Sequence, residues 1–233
     1  MNTAVLLWDI DGTLLSTGRA GIFALEDAAR EVCGAEADIQ SLPTAGLTDA
    51  QIAVVIIESL GGQPSRTTIA AFLRVYEREL PAALFRRDGR VLPGVAAILE
   101  DLAGEPDVHN LLLTGNTRAG ARAKLSHYGL DAHLRDGAFC VGPGPRSNIA
   151  REAWILARER SPENGPDRAF VIGDTPHDIS CGKEIGARTI AVATGSYGLA
   201  ELQASDPWVA IEHLPDPQAF RALVGVRARD DAR

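Results

Sequence analysis

Val5-Leu6-Leu7-Trp8-Asp9-Ile10-Asp11-Gly12-Thr13-Leu14 opens the chain with a continuous apolar run that ends in two carboxylates and a glycine. A run with no polar alternation suits a strand buried on both faces of a parallel sheet. Similar runs recur at Asn110–Thr114, Ala138–Val141, Ala169–Gly173 and Thr189–Ala193, with a weaker sixth at Trp208–Ile211. Helical patterns lie between them, at Ala96–Leu102, Ala119–Tyr128, Ile149–Arg160 and Asp178–Ile185. Strands that alternate with helices predict βαβ units, and hence an α/β fold with a doubly wound parallel sheet and a Rossmann-like core.

The alternation breaks from about Ser16 to Arg90, where the chain reads as three successive helices without a strand: Ala20–Cys33, Asp49–Leu60 and Thr67–Leu84. This is an all-helical insertion after the first strand, so the expected division is a core of residues 1–15 and 91–233 and an inserted segment of residues 16–90. Turn chemistry in Arg86-Arg87-Asp88-Gly89 and Leu92-Pro93-Gly94 marks the expected hinges, with Pro93 and Gly94 restarting the core at a helix N-terminus. The polar stretch Arg227–Arg233 reads as a fraying tail.

A chain of 233 residues with 45% hydrophobic content can bury a substantial core. Its 23 basic residues face 31 acidic ones, for a net charge of −8, and no basic run tracks a phosphate backbone, which argues against nucleic acid as a partner. Lys124 and Lys183 are the two lysines, so every other basic residue is arginine. Three scattered cysteines, Cys33, Cys140 and Cys181, show no metal-ligand spacing and fit a reducing cytoplasm. The start lacks a basic region and cleavage site for a secretory signal, and no apolar stretch is long enough to span a bilayer. The expectation is a cytoplasmic protein, monomeric or homodimeric, with no membrane partner.

Chemistry concentrates at strand ends. Asp9 and Asp11 stand two apart at the carboxyl end of the first strand, and Gly12 permits a sharp turn beyond them. Asp174 and Asp178 follow another apolar run in Gly173-Asp174-Thr175-Pro176-His177-Asp178. If those two strands are adjacent, Asp9, Asp11 and Asp174 converge at the edge where such sheets bind ligands. Clustered carboxylates repel one another unless a hard cation lies between them, and oxygen ligands suit Mg²⁺.

With Thr114-Gly115-Asn116 added, these motifs resemble the first, second and fourth motifs of the haloacid dehalogenase-like hydrolases, and the helical insertion resembles that superfamily's cap. The resemblance spans nearly the whole chain and implies a phosphatase similar to phosphoglycolate phosphatases, acting on a small phosphorylated metabolite. It implies that Asp9 attacks phosphorus, that Asp11 acts as acid and then base, and that Asp9, Asp11, Asp174 and Asp178 supply the Mg²⁺ site, Asp11 through its main-chain carbonyl. Thr114 and the amides of Gly115 and Asn116 would hold phosphate oxygens. Arg19, at the entry to the cap, is a candidate substrate contact.

The third motif departs from the family pattern, which places a lysine before the helix that leads into the second Asp-bearing strand. Arg146, in Gly142-Pro143-Gly144-Pro145-Arg146, occupies that region, and Lys183 is its rival. Blander readings stand beside each assignment: a turn for Asp174, a helix N-cap for Asp178 or Thr114, and a surface position for Arg146. Thr48-Asp49-Ala50-Gln51 reads as a capping box, and His177 as a solvent-facing loop residue. A sugar phosphomutase of the same superfamily and a non-catalytic phosphate-responsive binding protein are the alternative functions.

Overall fold

The computed structural model describes residues 3–227 apart from Pro43 and Ala45, so the tail expected to fray lies almost wholly outside the described residues. Six parallel strands form the main sheet: β1 (Ala4–Trp8), β4 (Val108–Leu113), β5 (Gly137–Ala138), β6 (Ala169–Gly173), β7 (Arg188–Val192) and β8 (Val209–Ile211). Their spatial order is β5-β4-β1-β6-β7-β8. β1 therefore lies between β4 and β6, with Trp8 level with both Leu112 and Ile172. The chain leaves β1 toward one side and returns to β6 on the other, and at such a switch the carboxyl ends of neighbouring strands frame a crevice.

The apolar run of β1 serves both faces. Val5 and Leu7 belong to one apolar cluster, with Val171, Leu111 and the helix α6 (Arg146–Arg160), while Leu6 and Trp8 belong to the other, with α4 (Val95–Asp101) and α9 (Pro217–Val224). Alternate residues meet opposite layers, so an unbroken apolar run is what the position demands. Trp8 stacks on Phe220 and donates its indole N–H to Asn110 Oδ1 at 2.9 Å, which satisfies the polar atom of a fully buried ring.

Among the described residues, three α-helices lie within the stretch 16–90: α1 (Gly21–Cys33), α2 (Asp49–Ser59) and α3 (Arg66–Ala83). α2 starts at the expected capping box, where Gln51 N–H donates to Thr48 Oγ1 and Thr48 N–H to Gln51 Oε1. The expectation of no strand between Ser16 and Arg90 fails at its two ends. β2 (Leu15–Ser16) pairs antiparallel with β3 (Arg90–Val91), because the chain entering the helical stretch and the chain leaving it run side by side. Gly94, at φ +84°, stands at the N-terminus of α4 as the turn chemistry requires.

Other differences have local causes. The strand expected over Ala138–Val141 pairs with β4 only at Gly137–Ala138, because Cys140 N–H turns away to donate to Asn116 O and Phe139 lies under the Arg118 guanidinium. The helices α5 (Arg118–His127), α6 and α7 (Pro176–Ile185) begin one to three residues before their expected starts. His177 is accordingly an exposed helical residue, not a loop residue. Two helices beyond those read from periodicity also form, α8 (Leu199–Ala204) and α9, the latter announced by an Asp216 cap and Pro217.

Candidate active site

Asp9 follows β1 directly, and its backbone N–H donates to Ile172 O on β6 at 3.0 Å. That bond sets Asp9 beside Asp174, the first residue past β6. The carboxylates of Asp9, Asp174 and Asp178 come within 4.8 Å of one another, all three residues buried. Burial pushes the Asp9 carboxyl up to about 7, with Asp178 and Asp11 adding repulsion and Arg146 opposing it. Asp174 rises to about 8 for the same leading reason, its neighbours Asp178 and Asp9 contributing next. A buried trio of hard oxygen donors under mutual repulsion fits a divalent cation.

The backbone closes on Asp174 from two sides. A Cβ on Gly12, which has φ +81°, or on Gly195 would overlap its carboxylate, and Thr13 Oγ1 donates to Asp174 Oδ1 at 3.1 Å. Asp178 is differently employed: one oxygen accepts from Thr175 N–H and Oγ1 at 3.0 and 2.7 Å, and the other accepts from Arg146 Nη2 at 2.5 Å. It thus combines the capping role with an ion pair, and both of its oxygens already have donors.

Arg146 occupies the first turn of α6, where a cation opposes the helix dipole. Its side chain is nevertheless nearly buried, because Asp178 stands at 2.5 Å and Asp9 at 3.5 Å, and Nη1 donates to Gly46 O at 3.1 Å. Lys183, the rival, is half exposed on α7 and donates to Ser205 O and Asp206. Between the two, Arg146 is the cation beside Asp9.

The Asp11 carboxylate turns away from the acidic trio. It accepts from Asn116 Nδ2 at 2.8 Å and from Lys124 Nζ at 2.6 Å, and Lys124 also donates to Asn116 Oδ1 at 2.6 Å. Thr114, fully buried past β4, accepts from Asn116 Nδ2 at 2.9 Å, and its hydroxyl favours the charged form of the Asp9 carboxyl against burial. Thr114, Gly115 and Asn116 therefore lead from the end of β4 into the N-terminus of α5, whose N-cap is Thr117.

Lys124 is the residue the sequence reading passes over. Burial works against its charge, but Asp11, Tyr76 and Asp49 outweigh that and hold its pKa above the ordinary lysine range. A signal existed: Thr117, Gly120, Ala121 and Lys124 share the inward face of α5 at helical spacing, and a lysine there needs a charged partner. Asp49 is the second such residue. Burial pushes its carboxyl up to about 6, against the pull of Lys124 and the Thr117 N–H.

A cavity of about 430 Å³ opens over this site, lined by Asp9, Asp11, Asn116, Arg146 and Asp174 below and by Ile22, Ile52 and Tyr76 above. Arg19 lines its mouth with an exposed side chain and a left-handed backbone, φ +65°, a conformation that is uncommon and strained outside glycine.

The arrangement matches a known family over most of the chain: residues 6–183 fit the model of the haloacid dehalogenase-like hydrolases. The chain belongs to this family. It is 30% identical over 215 residues to the probable phosphatase IndB of Dickeya dadantii, covering 89% of each protein. Two solved structures share the fold. A predicted phosphoglycolate phosphatase from Haemophilus somnus superposes with a TM-score of 0.69 at 14% identity over 96% of this chain and 99% of that one. CbbY from Rhodobacter sphaeroides in complex with phosphate gives 0.67 at 16% identity over 90% and 93%. The protein is a hydrolase of this family, and its relative IndB is a probable phosphatase. Among the described residues no helix is long and apolar enough to cross a membrane.

Proposed function

We propose that the protein is a Mg²⁺-dependent phosphatase that hydrolyses a small phosphomonoester through an aspartyl-phosphate on Asp9. The supporting observation is the position of Asp9: a buried carboxylate at the floor of the cavity, with Arg146 on one side and Asp174 on the other. Asp9 Oδ attacks phosphorus, the bond to the leaving oxygen breaks, and Asp11 gives that oxygen a proton. Water then attacks the phosphoryl group and yields its proton to Asp11, releasing inorganic phosphate and restoring Asp9. Arg146 offsets the charge that builds on the phosphoryl oxygens. Thr114, Gly115 and Asn116 orient those oxygens. The residues that would hold Mg²⁺ are Asp9, Asp174 and the Asp11 main chain, with Asp178 behind them, and the ion supplies the positive charge that lets an anionic nucleophile meet an anionic ester.

In this reading residues 16–90 act as a cap on a core of residues 1–15 and 91–233, with Arg19 contacting substrate at the rim. The small cavity and its cover restrict substrates to small molecules and exclude bulk water. The test is a panel of phosphorylated metabolites, including sugar phosphates and nucleotides, assayed for phosphate release with Mg²⁺ and with a chelator. Release that depends on Mg²⁺ supports the reading. Failure to turn over any phosphomonoester overturns it, and transfer of the phosphoryl group within a sugar without release points to the mutase.

A further inference from the structure

Helices α2 and α5 meet end to end at one residue of the helical segment. Asp49 N–H donates to Gly115 O at 2.8 Å, and Asp49 Oδ2 accepts from Thr117 N–H at 2.7 Å. These two bonds grip the turn on either side of Asn116. The approach is close: a Cβ on Gly115 would stand 3.1 Å from Thr48 Cα, and one on Gly120 would stand 3.3 Å from Asp49 Oδ2 and 3.6 Å from Tyr76 Cε1. Small residues at 115 and 120 are what let α2 and α3 press on this turn.

The grip passes on to the site. Asp49 holds the two residues that flank Asn116, while the Asn116 N–H donates to Thr114 Oγ1 and its carbonyl accepts from Cys140 N–H; its side-chain orientation is set by Lys124, which can only donate and so must face the amide oxygen. That leaves Asn116 Nδ2 toward Asp11 and Thr114. Lys124, in turn, is a buried cation balanced by Asp11 on the core side and by Asp49 from the helical segment. Removing either carboxylate leaves a buried charge short of a partner.

We infer that Asp49 is a positioning residue through which seating of α2 on the core sets Asn116 and, together with Lys124, the Asp11 carboxylate. This rests on the proposed phosphatase reading for its kinetic consequence, but the structural coupling stands apart from it. An aspartate serves here where the nearby Thr48 caps only its own helix, since a carboxylate can accept the Thr117 N–H and face Lys124 together.

The experiment compares Asp49→Ala with Asp49→Asn in the full chain, reading steady-state kinetics on a chromogenic phosphomonoester and amide hydrogen exchange at residues 115–120. The amide of Asp49→Asn would keep an acceptor for Thr117 N–H. Asp49→Ala is expected to lower kcat at least tenfold with KM changed less than threefold, and to speed exchange at Thr117 at least tenfold. Asp49→Asn is expected to recover most of the exchange protection at Thr117 but only part of kcat, because it still leaves Lys124 one carboxylate short. Exchange in Asp49→Ala that matches wild type overturns the inference, as does equal loss of kcat in both variants with exchange unchanged. If Asp49→Ala does not fold, Asp49→Leu, of similar size without an acceptor, takes its place against Asp49→Asn. An inactive wild type sinks the phosphatase reading alone, and the exchange comparison still decides the coupling.

Discussion

Arg146 Nη2 lies 3.5 Å from Asp9 Oδ2, across a buried floor that it shares with Asp178 at 2.5 Å. A guanidinium at the start of a helix gains nothing from the helix dipole, so its place there reflects the carboxylates it faces.

Arg146→Ala should therefore lower turnover by about two to three powers of ten, the usual loss when one electrostatic contact to developing charge is removed. It should also lower stability, because Asp9 and Asp178 keep their burial and lose their cation. Arg146→Lys should recover part of the rate, and Lys183→Ala should behave as wild type. Rates compared at equal folded fraction check this; a crippled Lys183→Ala beside a normal Arg146→Ala would reverse the assignment.

Asp9→Asn is nearly isosteric and should fold, yet turnover should fall to background, since an amide is no nucleophile toward phosphorus. Mass spectrometry after exposure to substrate should show no phosphorylated enzyme. Substantial activity in the pure variant would remove Asp9 from the covalent role.

The acidic trio makes a prediction about pH and metal. Asp9 and Asp174 hold protons in the native state up to about 7 and about 8, whereas in the unfolded chain they release them near 4. Between those limits the native state binds more protons than the unfolded one, so without metal these groups make stability fall as pH rises from about 4 to about 8. A divalent cation relieves the same repulsion. The melting-temperature gain from Mg²⁺ should thus be larger at pH 8 than at pH 6, and a gain independent of pH would argue against these carboxylates as the ligands.

Lys124→Met keeps the apolar stem of a buried side chain and deletes its charge. Asp11 loses its 2.6 Å donor and Asp49 a cation that opposes the effect of its burial, so kcat should fall by about two powers of ten, the range in which a positioned acid or base contributes. Stopped-flow turnover beside a melting curve separates this from simple instability.

Arg221→Ala is the contrasting case. Its buried guanidinium joins α9 to Asp101 on α4 and to Glu105, and none of the three lines the cavity. Stability should drop by about 3 kcal/mol, as for other broken buried pairs, while turnover per folded molecule stays unchanged. Chemical denaturation alongside kinetics tests both halves.

Much of this was legible along the chain because the relevant physics is local. An apolar run buried on both faces, as in Val5–Trp8, announces a central parallel strand, and a carboxylate just beyond such a run is carried to the sheet's carboxyl edge whatever the rest of the fold does. Asp9, Asp11, Thr114 and Asp174 were readable for that reason, as was the capping box at Thr48. Lys124 and Asp49 were less so: the inward spacing of Lys124 signals the need for a charged partner without naming it, Asp49 reads as part of a capping stretch, and only the docking of α2 and α3 on α5 buries both. Along the chain Arg146 stood at the third motif with Lys183 as its rival, and no local signal showed which of them lies beside Asp9. Tertiary packing decided it, because α6 begins beside Asp9 and Asp178 while Lys183 lies on the face of α7 that meets solvent, and burial among carboxylates is a property of neighbours brought together across more than 100 residues of chain.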